Sequence, residues 1–276
     1  MNTMLRVAFA AILLVPLAGQ AASSDLANMV QAEYDFAAAA KREGYKASFL
    51  KFLSEDAVMF GNGPVPGRKR VAERPDLPGL LEWYPDYAIV ANTGDVGFST
   101  GPWVYSNEGK PSAFGHFFSI WRKQSDGKWL NALDLGVDHD EQKPAPERLQ
   151  VTAAAGHAAA PSDRTKDIRD AETRFAKLAS ASGYAAAAES MAHPNLRVYR
   201  GGHAPQAGAS QALPLLKEQN ATATPTLDYA SGSGDFGYAY GSIAKRSFVH
   251  VWKQDAGKWQ LLADILTPVP EPPKAQ

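Results

Sequence analysis

HFFSIWRKQSDGKWLNALDLG (116–136) sets two bulky, strand-forming runs on either side of a Ser-Asp-Gly turn, the pattern of a β-hairpin. VWKQDAGKWQLLADIL (251–266) repeats it near the end of the chain. Trp252 stands for Trp121, Gly257-Lys258-Trp259 for Gly127-Lys128-Trp129, and Asp264 for Asp134. Outward from the hairpins the correspondence continues. AEYDFAAAAKREGY (32–45) aligns with AETRFAKLASASGY (171–184), and GDVGFSTG (94–101) with GDFGYAYG (234–241). The order is kept and only loop lengths differ, as in two copies of one domain. We expect copy 1 at 25–140 and copy 2 at 166–267. An Ala/Pro-rich linker at 141–165 would join them, and a Pro-rich tail would occupy 268–276.

Helical periodicity precedes strand periodicity in each copy. Met29, Ala32, Phe36 and Ala39 fall on one helix face in copy 1, and Ile168, Ala171, Phe175 and Leu178 in copy 2. A second short helix is predicted from Tyr45 to Leu53, burying Phe49 and Phe52. A strand then runs from Asp56 to Phe60, and GRKRVAE (67–73) forms a third helix. From Tyr87 onward the pattern is of strands: YAIVANTG, VGFSTGPWVYS, GHFFSIWRK and KWLNALDLG. Helices followed by an antiparallel meander make an α+β domain, written twice.

The chain opens with one cation (Arg6), an apolar run from Val7 to Leu17, and small residues at Gly19 and Ala21. That is the layout of a secretory signal peptide over residues 1–21, with cleavage after Ala21 and a periplasmic or secreted product. The run is too short to span a bilayer of roughly 30 Å, and the mature chain has no candidate span. There are no cysteines, so disulfides, thiolate metal sites and cysteine nucleophiles are excluded. Lys and Arg number 28 against 29 Asp and Glu. A balance this even gives no footprint for nucleic acid.

The succession LSEDAVMFGNGPVPGR, GDVGFSTGPW and GHFFSIWRKQSDGKWLNALDLG resembles the nuclear transport factor 2-like superfamily. The nearest branch is the secreted bacterial one related to ketosteroid isomerases and SnoaL-like polyketide cyclases. The resemblance implies two tandem cones, each a curved antiparallel sheet wrapped around about three helices with an apolar pocket. It also implies that an isomerase base would sit near Phe60 or Gly61 in copy 1 and near Tyr199 or Arg200 in copy 2. Neither place holds a carboxylate. The steroid-isomerase mechanism therefore does not transfer.

If Trp121 faces Trp129 across the hairpin, a constant sum of residue numbers sets Asp134 opposite His116. A His–Asp pair in an apolar cavity is acid–base machinery, the carboxylate fixing the imidazole tautomer. The same arithmetic sets Asp264 opposite Ser247, leaving copy 2 without a base. The plainer reading is an Asp that closes its hairpin. Glu33, Tyr34, Phe36 and Phe118 in copy 1, with Glu172 and Asp264 in copy 2, are the further pocket-lining candidates. Asp95 and Asp235, each between glycines, read as turn formers, and His250 reads as packed beside Phe248 and Trp252. No His spacing suits a metal site, and no phosphate-binding loop or nucleophile elbow is present, so no metal or cofactor is expected.

Two classes of function follow. The first is a secreted protein that binds a small apolar molecule without turnover. The second is a cofactor-independent lyase, isomerase or cyclase using His116 and Asp134. A third possibility is structural: the two copies pair as a pseudo-dimer and copy 2 covers the sheet of copy 1.

Overall fold

Gly44 and Gly183 each separate two helices with left-handed φ values of 87° and 91°. That conformation strains any residue bearing a Cβ, which is why the Gly-Tyr step is written at both places. Around them stand α1 (Leu17–Glu43) and α2 (Tyr45–Phe52) in the first half of the chain. The second half has its own pair, described below. The computed structural model describes residues 17–140, 150–152, 160–218 and 224–267. The segment expected to be a signal peptide falls largely outside them, α1 beginning at Leu17, and so does the Pro-rich tail.

Half 1 continues with β1 (Leu53–Gly61), β2 (Gly63–Pro66), α3 (Gly67–Glu73), β3 (Leu80–Trp83), β4 (Tyr87–Val90), β5 (Val96–Asn107), β6 (Lys110–Lys123) and β7 (Trp129–Asp138). A short strand, β8 (Gln150–Thr152), lies inside the segment expected to be only a linker and pairs parallel with β4. Half 2 comprises α4 (Thr165–Ser182), α5 (Tyr184–Met191), β9 (Ala192–Arg200), β10 (His203–Ala207), α6 (Ala209–Glu218), β11 (Thr226–Ser233), β12 (Phe236–Ile243), β13 (Arg246–Asp255) and β14 (Lys258–Leu266). Both halves thus run helix, helix, strand, strand, helix, then meander, the α+β architecture read from the sequence.

The first sheet has the order β2-β1-β7-β6-β5-β4-β8, with β3 also on β5, and the second β10-β9-β14-β13-β12-β11. In each, the first strand lies parallel to the last strand of the meander, β1 on β7 and β9 on β14. One face of each sheet packs on its own helices. In half 1 Met29, Phe36, Phe49, Trp121 and Trp129 form that core, and in half 2 Ile168, Phe175, Tyr184, Trp252 and Trp259. The other faces meet each other. Phe98, Phe118 and Ile120 of half 1 share one buried cluster with Tyr199, Phe236 and Val251 of half 2. Burial of this kind is worth about 1.5–3 kcal/mol for each large side chain.

The two meander turns lock this contact reciprocally. The Asn92 amide donates to Asp235 Oδ1 at 2.9 Å, and Ser233 Oγ donates to Asp95 Oδ2 at 2.8 Å. The aspartates read as turn formers are therefore also the cross-links between halves.

The hairpin register differs from the Trp-on-Trp expectation. Lys123 pairs with Trp129, so the turn is two residues shorter than that scheme assumed, and the ladder shifts between Ile120 and Trp121. Beyond this bulge Ser119, not His116, faces Asp134, while His116 faces Val137. The same bulge recurs between Val251 and Trp252, and there His250, not Ser247, faces Asp264. A bulge adds one residue to one strand and so exchanges which residues point to which face.

Candidate functional site

The inner face of half 1 encloses a cavity of about 420 Å³. Phe36 of α1, Tyr45 and Phe49 of α2, Trp83, Trp103 and Phe117 supply its aromatic wall. The wall is held by ring contacts, Phe36 lying 4.7 Å from Phe49 and 5.0 Å from Trp83, both edge-on. Asp134 is the one carboxylate on the lining, and Arg70 and Arg74 are its cations. Arg74 and Leu77 are exposed and mark where the cavity meets solvent.

Asp134 reaches the cavity from β7 with 9 % of its surface exposed. Burial pushes its carboxyl up to about 6, against hydrogen bonds from Ser119 and Asn131 that hold it down. Ser119 Oγ and Asn131 Nδ2 both donate to Oδ2 at 2.9 Å. Glu33 lies deeper and is fully buried. It accepts hydrogen bonds from Trp83 Nε1 (2.7 Å), Ser99 Oγ (2.6 Å) and Trp121 Nε1 (2.9 Å). Burial first, with a smaller push from the neighbouring Asp134 charge, raises it to about 7 despite these donors. Tyr45, on the cavity wall, is raised to about 12 by burial first and by Asp134 second, so it stays a neutral phenol.

Half 2 carries the equivalent carboxylates, Glu172 and Asp264, with two cations added. Arg200 Nη2 lies 3.0 Å from Asp264 Oδ2, and His250 Nδ1 lies 2.9 Å from Glu172 Oε1. Tyr184, the counterpart of Tyr45, places its hydroxyl 2.8 Å from His250 Nε2 and 3.0 Å from Asp264 Oδ1. None of these five side chains is more than 3 % exposed. Burial by itself lowers the His250 pKa, but the Glu172 charge, its hydrogen bond and the Asp264 charge together raise it above the usual value. The site in half 2 is a closed, charge-balanced network. In half 1 Ser119 replaces His250 and Gly61 replaces Arg200, so the same acids keep only neutral donors.

The residues singled out from sequence are distributed as follows. Phe36 and Asp134 line the cavity. Glu33 stands beneath its wall, and Tyr34 packs against the half-1 core from a partly buried position. Phe118 points the other way, into the cluster between the sheets. His116 shares that outward parity and is corrected from its place beside Asp134. Its Nδ1 lies 2.7 Å from His139 Nε2, and its Nε2 lies 3.7 Å from Asp86. Glu172 and Asp264 belong to the buried network rather than to the half-1 cavity. Sequence reasoning missed His250, Tyr184, Arg200, Arg70 and Arg74. Carrying the Trp121-to-Trp252 offset back two residues equates Ser119 with His250, a signal that was available.

Among the described residues no group of three or more His, Asp or Glu is placed to hold a metal ion. No helix among them is long and apolar enough to cross a membrane.

No protein-family model matches the chain, and no curated protein does. Solved structures do match. An NTF-2 like protein of unknown function from Shewanella oneidensis MR-1 is 18 % identical, with a TM-score of 0.34 over 41 % of this chain and 97 % of that one. A ketosteroid isomerase-like protein from Erwinia carotovora atroseptica is 17 % identical, with a TM-score of 0.34 over 42 % and 98 %. A de novo designed protein with a curved β-sheet is 14 % identical, with a TM-score of 0.32 over 37 % and 98 %. Each likeness covers less than half of this chain.

Proposed function

We propose that half 1 binds a small, largely apolar molecule in its aromatic cavity without turning it over, and that half 2 serves as its structural partner. The observation that carries this reading is the cavity itself, about 420 Å³ and walled by aromatic rings. A non-catalytic role is supported by the place where the isomerase branch would carry its base. Gly61 stands there in half 1, and the paired Arg200 in half 2. We propose further that the protein is secreted, on the strength of Arg6, the apolar run after it and the small residues at Gly19 and Ala21.

A thermal-shift panel of steroid-like, aromatic and fatty compounds tests the binding reading. Stabilisation by at least one class is expected, and it should vanish in Ala113→Trp, which fills the cavity. Indifference to every compound would count against it.

One observation favours a second reading, proton transfer by Asp134: a carboxyl near 6, facing an apolar cavity, is matched to general base work. Turnover that survives in Asp134→Asn would remove it.

A further inference from the structure

We infer that the ligand of the half-1 cavity is an organic anion, its apolar body among the aromatic rings and its carboxylate- or sulfonate-like group held at the mouth by Arg70 and Arg74. The inference rests on the binding reading above and adds the charge and the orientation of the ligand.

Arg70 comes from α3 and Arg74 follows directly after its end, and both line the cavity. Among the described residues neither has an Asp or Glu within ion-pairing distance. Arg68, on the same helix, shows what a committed guanidinium does here. Its Nη1 donates to the Leu50 and Leu53 carbonyls at 2.6 and 3.0 Å, and its Nε lies 3.5 Å from Glu55. Arg70 and Arg74, by contrast, sit close enough to repel each other. Burial first and the Arg74 charge second lower the Arg70 pKa. Two adjacent cations with no acid at ion-pairing distance, at the mouth of an apolar cavity, present the complement of an anion.

Gly61 keeps the space for one of them. A Cβ at that position would lie 2.5 Å from Arg70 Nη1, so the glycine admits a guanidinium that a side chain would displace. Asp134 sets the direction. A carboxylate inside the cavity repels an anion from the interior and leaves the mouth as the place for charge. Tyr45, a neutral phenol, faces the same space. The nearby Asp76 is occupied elsewhere, its Oδ1 accepting from the Lys46 and Leu77 amides at 3.0 and 2.9 Å.

The test uses the full chain and two dyes of nearly the same body, 8-anilinonaphthalene-1-sulfonate and the neutral N-phenyl-1-naphthylamine. Fluorescence titration should show the sulfonate bound about tenfold more tightly, equivalent to about 1.4 kcal/mol. Arg70→Gln with Arg74→Gln should remove that advantage and leave the neutral dye unchanged. Ala113→Trp should abolish both. If the double variant fails to fold, Arg74→Gln alone, at an exposed position, carries the comparison through a smaller loss for the sulfonate only. Equal sulfonate affinity in wild type and variant overturns the anion inference and leaves cavity binding standing. Binding of neither dye, or binding of both undiminished in Ala113→Trp, overturns the cavity reading and this inference with it.

Discussion

His250 and Asp264 face each other across the β13–β14 ladder, and the Tyr184 hydroxyl stands between them, 2.8 Å from Nε2 and 3.0 Å from Oδ1. With His250 protonated, each imidazole and phenol proton has an acceptor. Nδ1–H meets Glu172, Nε2–H meets the Tyr184 oxygen, and the Tyr184 hydroxyl donates to Asp264. A neutral imidazole would draw the Tyr184 proton to itself and leave Asp264 Oδ1 without a donor. The imidazolium therefore completes a network that Arg200 balances in charge.

Breaking that network is expected to be costly, because one deletion strands a buried charge. Asp264→Ala or His250→Ala should each lower stability by about 3–5 kcal/mol in urea unfolding of the full chain at pH 7. The pH dependence has a defined sign. The folded pKa of His250 lies above its ordinary 6.5. Its contribution is thus complete below pH 6.5 and lost as pH rises through the folded value. Melting temperature should fall as pH rises from 6.5 through that folded value in the wild type, and His250→Gln should flatten the fall.

Asp134 should behave in the opposite manner from Asp264 on substitution. Its folded value of about 6 stands above an ordinary 3.8, so the folded state disfavours the ionised form. The penalty is absent below pH 3.8 and complete once pH has risen past 6. Asp134→Asn is expected to raise the urea midpoint at pH 8, by a gain of order 1–3 kcal/mol, and to leave it near the wild-type value at pH 4. A destabilised variant at pH 8 would assign Asp134 a structural hydrogen-bonding role instead.

Glu33 should be visible by its own titration. Two indoles, Trp83 and Trp121, donate to its carboxylate, and its pKa stands at about 7. Protonation near neutrality should change tryptophan emission with a midpoint close to pH 7. Glu33→Gln should abolish that step while all six tryptophans stay in place.

The contact between sheets should show as energetic coupling across the chain. Phe98 and Phe236 lie 6.3 Å apart, centroid to centroid, from opposite halves. Each Phe→Ala change alone should cost about 3–5 kcal/mol. The double variant should depart from additivity by about 0.5–1.5 kcal/mol. Strict additivity would mean that the halves unfold independently.

Most of the architecture was legible because periodicity reports burial directly. The stripe Met29, Phe36, Ala39 fixes a buried helix face, the bulky run in GHFFSIWRK marks a strand buried on both faces, and the Gly-Tyr step marks a corner with positive φ. The candidate site was less legible because it depends on register. Turn length and one bulge decide whether His116 or Ser119 meets Asp134, and neither leaves a periodic trace. Arg70 and Arg74 were invisible for a different reason: a cavity mouth assembles residues from α3 and the loop after it against a distant sheet. The strand β8 escaped because three residues are too few for an alternation to show.

The face-to-face packing of the two sheets has a consequence for what the halves can become. In a two-fold homodimer every substitution appears twice, so an open site and a sealed one cannot coexist. Here both sheets belong to one polypeptide, and dilution cannot part them. One half is free to carry Arg200 and His250 as a charge-filled plug while the other keeps Gly61 and Ser119 beside an open cavity. The asymmetry is a freedom that covalent continuity confers.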